Sequence, residues 1–275
     1  MLMPNITIVK ASGEKEPLDL KKVARSMQKA GASDEEIKEV LKELIPDLKK
    51  EVTTHEIYKK VYELLSKIED RGLGLAGRYS LKKAIQALGP SGYPFEKYVA
   101  GVLKQLGYET KTNLVIKGHC VSHEIDVLAK KDNQTNIIEA KFHAKSGFKT
   151  DIKTALYVYA RFLDLKNSQE VQPNPNPWLV TNTKVTSEVK SYSECNNLKV
   201  MSWNYPEGFS LRELSDKANL HPITALISLD QFTTTTLLNN GIVFCTDIKN
   251  ASQFFQNQEK YQQVLKEAEG MSFTP

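Results

Sequence analysis

His123-Glu-Ile-Asp-Val-Leu-Ala-Lys-Lys-Asp-Asn-Gln-Thr-Asn-Ile-Ile-Glu-Ala-Lys-Phe142 reads as two β-strands around a polar centre at Asp132-Asn133. Runs rich in β-branched and apolar residues on either side of that pair predict a hairpin closed by a tight turn. With those two residues as the loop, Asp126 falls opposite Glu139, Val127 opposite Ile138, Ile125 opposite Ala140 and Glu124 opposite Lys141. Alternation along a strand then puts Ile125, Val127, Ile138 and Ala140 on one apolar face, and Asp126, Glu139 and Lys141 on the other.

Two carboxylates set directly opposite one another repel unless something neutralises them. A hard divalent cation does so, because Mg²⁺ prefers carboxylate oxygens and keeps open positions for water and a phosphate. Lys141, two residues beyond Glu139, points to the same face. There it can orient or help deprotonate an attacking water and stabilise charge developing on phosphorus. The bland alternative is an exposed ladder of salt bridges among Glu124, Asp126, Glu139 and Lys141, worth little energetically.

Asp126 followed by Glu139-Ala140-Lys141 at the end of the next strand resembles the PD-(D/E)XK nuclease signature, most of all its Mrr-type restriction endonuclease branch. Asp126 follows Ile125 rather than proline, as is common in that branch. The helix opening Tyr93-Pro94-Phe95-Glu96 supplies a glutamate where the family often has one reaching the metal. The resemblance implies an α/β fold whose restriction-endonuclease-like mixed sheet is flanked by helices. It also implies that Asp126, Glu139 and the main-chain carbonyl of Ala140 hold Mg²⁺ or Mn²⁺, with Glu96 assisting and Lys141 positioning the water that attacks a DNA phosphodiester. Restriction of foreign DNA is the use it suggests.

At 275 residues the chain has room for two domains, each able to bury a core. Three scattered cysteines, Cys120, Cys195 and Cys245, argue against a disulfide framework and for a reducing compartment. No apolar run approaches the length of a bilayer span, and the amino terminus lacks the plan of a signal peptide. A soluble cytoplasmic protein with no membrane partner is expected. A formal charge of +4 is mildly basic and compatible with nucleic acid.

Upstream, residues 6–10 predict a strand and 13–16 its turn. Helices follow at 18–30, at 34–44 behind a Ser33/Glu36 capping box, at 56–67 behind Thr54, and at about 77–88. This region resembles an ATP-cone, the nucleotide-binding regulatory domain of ribonucleotide reductases and of the repressor of their genes. The matching pieces are Val9-Lys10 with Gly13, Leu18-Asp19-Leu20-Lys21-Lys22, Val52-Thr53-Thr54-His55-Glu56-Ile57 and Arg78-Tyr79. The resemblance implies ATP or dATP as a regulatory ligand, at a site built from Val9, Lys10, Glu16, Asp19, Lys22, Thr54 and Tyr58. Lys10 and Lys22 would contact phosphates and Thr54 would help hold the nucleotide. Tyr58 stands where a histidine is often found. Ammonium groups and free amides at a helix start suit triphosphate oxygens. Such cones act by altering how subunits associate, so a homo-oligomer is expected.

Gly72-Leu-Gly-Leu-Ala-Gly77 fits a dinucleotide-binding glycine pattern but follows a helix and lacks a βαβ unit, so it is read as a flexible joint. Turn formers at 88–94 mark a boundary. The predicted domains are an ATP-cone at 1–90, a nuclease domain at 91–205 and a helical appendage at 206–275.

Within the second, a helix is expected at 95–106, a strand at 108–117 and a helix at 150–165 with Ile152, Leu156, Tyr159 and Leu163 inward. Lys145, Lys149 and Lys153 either bind phosphates or form a solvated face. His119, Cys120 and His123 lack a fourth metal ligand, so local hydrogen bonding or nucleic-acid contact is the expected use. The appendage predicts helices at 211–218, 222–229 and 233–239 and a brief strand at 241–245. A nucleotide-responsive DNA-binding regulator that keeps a nuclease fold without cutting is the non-enzyme alternative.

Overall fold

The computed structural model describes residues 6–10, 13–69, 71–145 and 147–271. β1 (Thr7–Val9) pairs antiparallel with β2 (Lys15–Pro17), which extends what the sequence suggested was only a turn. Asp19 opens α1 (Leu20–Lys29) by accepting the N–H of Lys21 at 2.9 Å and of Lys22 at 3.3 Å, donors that a helix start leaves orphaned. The Ser33/Glu36 box opens α2 (Asp34–Leu44) as expected. β3 (Glu51–Thr53) lies parallel to β1, giving the order β2-β1-β3. Thr53 rather than Thr54 caps α3 (Thr54–Ser66), in a box with Glu56.

α4 (Gly72–Gln86) corrects the expected flexible joint: residues 72–77 are its first turns. A Cβ on Gly72 would stand 2.6 Å from the Leu65 carbonyl oxygen, and one on Gly77 2.5 Å from Met271 Sδ. The glycines permit close packing between elements, not bending. Leu75 and Ala76 of α4 join a core with Met27, Leu44, Val61 and Leu65. Its later residues Leu81, Ala84 and Ile85 join the core of the rest of the molecule.

That second core is built on α5 (Tyr93–Gln105), β4 (Glu109–Lys117), β5 (Ser122–Lys131), β6 (Gln134–Lys141), β7 (Lys149–Thr150), α6 (Ile152–Leu165), β8 (Pro175–Thr181), β9 (Lys184–Val185), α7 (Ser187–Asn196) and β10 (Lys199–Met201). The main sheet has the order β10-β8-β6-β5-β4; β4, β5 and β6 are antiparallel neighbours, while β6, β8 and β10 run parallel. The predicted hairpin is β5–β6, in the predicted register from Val127–Ile138 to Lys131–Gln134. Asp132 (φ 49°) and Asn133 (φ 59°) are both left-handed, as a two-residue type I′ turn requires.

Helices cover both faces of the sheet. On one, Phe95, Tyr98 and Leu103 of α5 pack on Val127, Ile138, Ala140 and Trp178. On the other, Ala155 and Val158 of α6 pack with Leu179, Val189 and Val200. Here Leu156 and Leu163, expected inward, are exposed. α6 carries apolar residues on two stripes, and the one through Ala155, Val158 and Leu165 faces the sheet.

The chain continues through α8 (Leu211–Ala218), α9 (Gln231–Asn239) and α10 (Gln258–Met271). The helix expected at 222–229 is only the 3₁₀ turn Ile223–Ala225, and the expected strand at 241–245 contributes one bridge, Phe244 to Pro222. Leu211, Ile223, Leu237 and Val264 share one core with Phe95, Tyr98 and Trp178. The fold is a mixed α+β architecture with a helical carboxyl-terminal part. Among the described residues no helix is long and apolar enough to cross a membrane.

Candidate functional site

The sheet opens at Asp126. Asn113, which the β4–β5 register places opposite it, has φ 56°, and the pairing omits that one position. On the other side the β5–β6 ladder ends at Val127–Ile138. The Asp126 carboxylate takes the donor the ladder gives up: Ala140 N–H donates to Asp126 Oδ2 at 2.7 Å. The first carboxylate is thereby held against the main chain of Glu139-Ala140-Lys141. The same kink corrects one expected neighbour. Ile125 packs with Ile116, Leu128 and Ile137, away from Val127 and Ile138, because the alternation of β5 breaks at Asp126, the position opposite the left-handed Asn113 of β4.

Glu139 lies on the face covered by α6, where Arg161 forms an ion pair with it. Burial and the Asp126 charge outweigh Arg161 and Lys141 and push Glu139 up to about 7. Asp126 is raised by burial, against the Ala140 N–H and Arg161. Glu96, in the first turn of α5, is pushed to about 7 by burial, then by Asp126, Glu124 and Glu139. Lys141 is exposed at the end of β6, paired across from Thr181.

Glu96, Asp126, Glu139 and Lys141 thus gather at one end of the hairpin. Among the described residues, however, no group of three His, Cys, Asp or Glu side chains is tight enough to hold a metal ion. The donor chemistry nonetheless fits a hard cation. Asp126 and Glu139 each keep one carboxylate oxygen without a protein partner among the described residues, and burial, which raises both, disfavours their ionised forms in a way that a bound cation would offset. Arg161 escaped the sequence reading. Its one signal was a lone cation inside an otherwise apolar helical run.

The His119, Cys120 and His123 segment makes local hydrogen bonds, one of the two uses expected of it. Asp164 accepts from Cys120 N–H at 2.7 Å and contacts His123 Nε2 at 2.8 Å, contacts that hold its carboxyl well below the usual range. Lys145, Lys149 and Lys153 are all exposed.

In the amino-terminal unit a cavity of about 610 Å³ is lined by Lys10, Glu16, Asp19, Lys22, Thr54 and Tyr58, six of the seven residues expected there. Its size is that of a ligand pocket, about 300–1,000 Å³. Val9 does not line it; alternation in β1 turns Ile8 and Lys10 to the cavity instead. Glu16 lies between the lysines, 2.6 Å from Lys10 Nζ and 3.8 Å from Lys22 Nζ. Its contact with Lys10 lowers the Glu16 carboxyl and raises the lysine. Tyr58 stacks on Tyr79, with centroids 5.3 Å apart, and burial pushes its hydroxyl to about 12. Lys83 of α4, missed in the sequence, places Nζ over the Tyr58 ring and 3.1 Å from His55 Nδ1. Burial lowers its ammonium. The cavity therefore has a charged end, where Lys10 and Lys22 are paired with Glu16 beside Asp19, and an aromatic wall at Tyr58 and Tyr79.

A family model for the ATP cone domain matches residues 6–88, and one described as AF1548-like, C-terminal, matches residues 221–272. The chain carries an ATP cone, which supports adenine nucleotide as a regulatory ligand. A relative from Archaeoglobus fulgidus, described only as an uncharacterized protein, is 39% identical over 155 residues, or 56% of this chain and 86% of the relative. The crystal structure of a protein of unknown function, AF1548, superposes with a TM-score of 0.57 at 36% identity, covering 66% of this chain and 98% of that one. Can2 from Sulfobacillus thermosulfidooxidans, solved in complex with cyclic tetra-adenylate, is 15% identical with a TM-score of 0.35, over 75% of this chain and 62% of that one. A likeness that loose carries no argument about this chain.

Proposed function

The chain belongs to the AF1548-like family, and we propose that it is a nucleotide-regulated, Mg²⁺-dependent endonuclease that hydrolyses DNA phosphodiester bonds. The observation that carries this is the bond from Ala140 N–H to Asp126 Oδ2, because it sets one carboxylate against the segment bearing Glu139 and Lys141. The carboxylates of Glu96, Asp126 and Glu139 are half-buried at this end, and the exposed Lys141, Lys145, Lys149 and Lys153 continue beyond it.

Asp126, Glu139 and the Ala140 carbonyl would hold the metal, which supplies charge stabilisation at the phosphate. Glu96 would assist through its shared field with Asp126 and Glu139. Lys141 would orient the attacking water and balance charge on the phosphoryl oxygens. Arg161 would release Glu139 or neutralise what charge remains. Lys145, Lys149 and Lys153 would follow the substrate backbone. Adenine nucleotide in the cone would set the level of activity.

A regulator that binds DNA without cutting it is favoured by one observation, the engagement of Glu139 by Arg161 in place of a third acid. Incubating the pure full-length protein with labelled duplex DNA, and separately with RNA, separates the two. The proposal predicts DNA fragments that require Mg²⁺ and change in amount with ATP. Binding without any fragment, with Mg²⁺ or Mn²⁺ and with or without nucleotide, would leave only the regulator.

A further inference from the structure

β7 and β9 set two lysines directly opposite one another. Lys149 and Lys184 are register partners in this two-stranded parallel ribbon, as are Thr150 and Val185 after them. Thr150 and Val185 are buried, so alternation turns Lys149 and Lys184 together to the outer face, where both are exposed. Paired strands lie about 4.8 Å apart, well inside the Debye length of about 8 Å at physiological salt. Like charges so placed destabilise a sheet unless something of opposite sign meets them. The acids beside them serve helix starts instead: Asp151 accepts Thr154 N–H at 3.3 Å to cap α6, and Glu188, in the first turn of α7, accepts from Ser187 Oγ at 3.3 Å. Among the described residues neither lysine has an ion pair.

A third lysine reaches them from α4. Lys82 places Nζ 5.9 Å from the centre of the Trp203 ring, and Trp203 N–H donates at 2.9 Å to the carbonyl of Thr183, the residue before Lys184. Burial and then the Lys184 charge lower the Lys82 ammonium. Lys82 is exposed and, like the other two, has no ion pair among the described residues. Arg212, whose N–H donates to the Trp203 carbonyl at 3.3 Å, has its own acid in Asp216, with Nε 3.6 Å from Oδ2. The ribbon adjoins the hairpin end. Lys141 pairs with Thr181 across the ends of β6 and β8, and register partners point to the same face of a sheet. On that face Thr181 Oγ1 meets Thr150 Oγ1 at 3.1 Å, and Thr183 Oγ1 lies 3.2 Å from each. The threonines thus tie the strand ends to the ribbon, and lysines without acids continue from Lys141 through Lys149 and Lys184 to Lys82.

Resting on the reading of the hairpin end as a phosphodiester site, we propose that Lys149, Lys184 and Lys82 form a seat for the DNA backbone that carries the substrate from Lys141 across the ribbon onto α4. A nucleic-acid backbone fits because it brings negative charge at a regular repeat, with condensed counterions that ammonium groups displace. Contacts of this kind fix position and register and read no bases. Lys184 and Lys82 extend the lysines at 145, 149 and 153 sideways, off α6 and onto α4. The seat ends on the helix that also lines the nucleotide cavity: Lys82 meets the DNA, and Lys83, next in sequence, holds Nζ over the Tyr58 ring. Substrate and nucleotide then act on adjacent residues of one helix.

The test is fluorescence anisotropy of a labelled DNA duplex titrated with the full-length chain in EDTA, across a salt series from about 50 to 200 mM. Lys82→Gln and Lys184→Gln keep most of the stem and remove one ammonium each. Each is expected to lower the slope of log K against log salt by about 0.9, and the two together by about 1.8, equally for duplexes of unrelated sequence. Lys38→Gln, at an exposed lysine of α2, changes the net charge by as much and is expected to keep the parent's slope. In melts without DNA, Lys184→Gln should hold or raise the melting temperature, since it ends the repulsion with Lys149. Slopes unchanged in both variants, or lowered as much in Lys38→Gln, overturn the seat, as does a fall confined to Lys153→Gln. If the parent also cuts in Mg²⁺, those results leave the nuclease standing without the seat. Slopes lowered as expected in a chain that never cuts keep the seat and overturn the nuclease. A parent that binds no duplex overturns both.

Discussion

Glu96 and Glu139 carry most of the electrostatic strain at the hairpin, since burial and the neighbouring acids push each from 4.5 to about 7. Between those values the folded chain holds more protons than the unfolded one, so stability falls as pH rises through the window. In EDTA, the melting temperature should decline from about pH 4.5 to 7 on that account. Asp126→Asn keeps an acceptor for Ala140 N–H but removes a charge from beside Glu139, so it should flatten the decline and lose cleavage. Buried His221, lowered to about 4, contributes the opposite slope in both proteins, so an identical pH dependence of the parent and Asp126→Asn would contradict the assignment. In the cone, ATP at about 100 times its Kd should stabilise the fold by about 2.7 kcal/mol. The double change Lys10→Ala, Lys22→Ala should erase the accompanying rise in melting temperature; an equal rise would remove the phosphate role of these lysines. Asp126, Glu139 and Lys141 could be read from the sequence because their spacing is local to one hairpin. Arg161 and Lys83 could not, since each meets its partners through the placement of another element.

Local pattern also separates the elements that were legible from those that were not. The β5–β6 register followed from period-two alternation around Asp132-Asn133, and the start of α2 from Ser33 and Glu36. Ile125 went astray because nothing local marks the break in β5 at Asp126. α6 offers two apolar stripes, and only the sheet decides between them. The glycines of α4 were misread for a related reason: a glycine that allows bending and one that allows close contact look alike until the neighbour is known. Gly72→Ala separates these roles. Its Cβ would meet the Leu65 carbonyl oxygen, which cannot rotate away, so a loss of about 1–3 kcal/mol is expected in denaturant melts. In a flexible joint the same change would be neutral or stabilising, by reducing the freedom of the unfolded chain.

Across the whole molecule, α4 is the element both cores share. Tyr79 and Lys83 line the nucleotide cavity, while Leu81, Ala84 and Ile85 pack into the core that also carries the hairpin. Further bonds cross the same junction: Arg78 Nε donates to the Ala30 carbonyl at 2.7 Å, and Thr224 Oγ1 to the Ala84 carbonyl at 2.6 Å. Nucleotide that shifts Tyr79 or Lys83 therefore acts on a helix already seated in the second core, rather than through a swinging linker at 88–94. Coupling of this kind is reciprocal. ATP titrated into Glu139→Ala with and without a DNA duplex should give two different affinities, and duplex titrated with and without ATP should differ by the same factor. Equal affinities would show that the cone does not regulate binding. The central claim, hydrolysis at the opened hairpin, is tested most directly by following supercoiled plasmid in Mg²⁺ with the parent, Asp126→Ala, Glu139→Ala and Lys141→Ala, each confirmed folded by its melt. The expected result is nicked and linear DNA from the parent alone, abolished by EDTA; cutting by Asp126→Ala and Glu139→Ala at the parent's rate would contradict it.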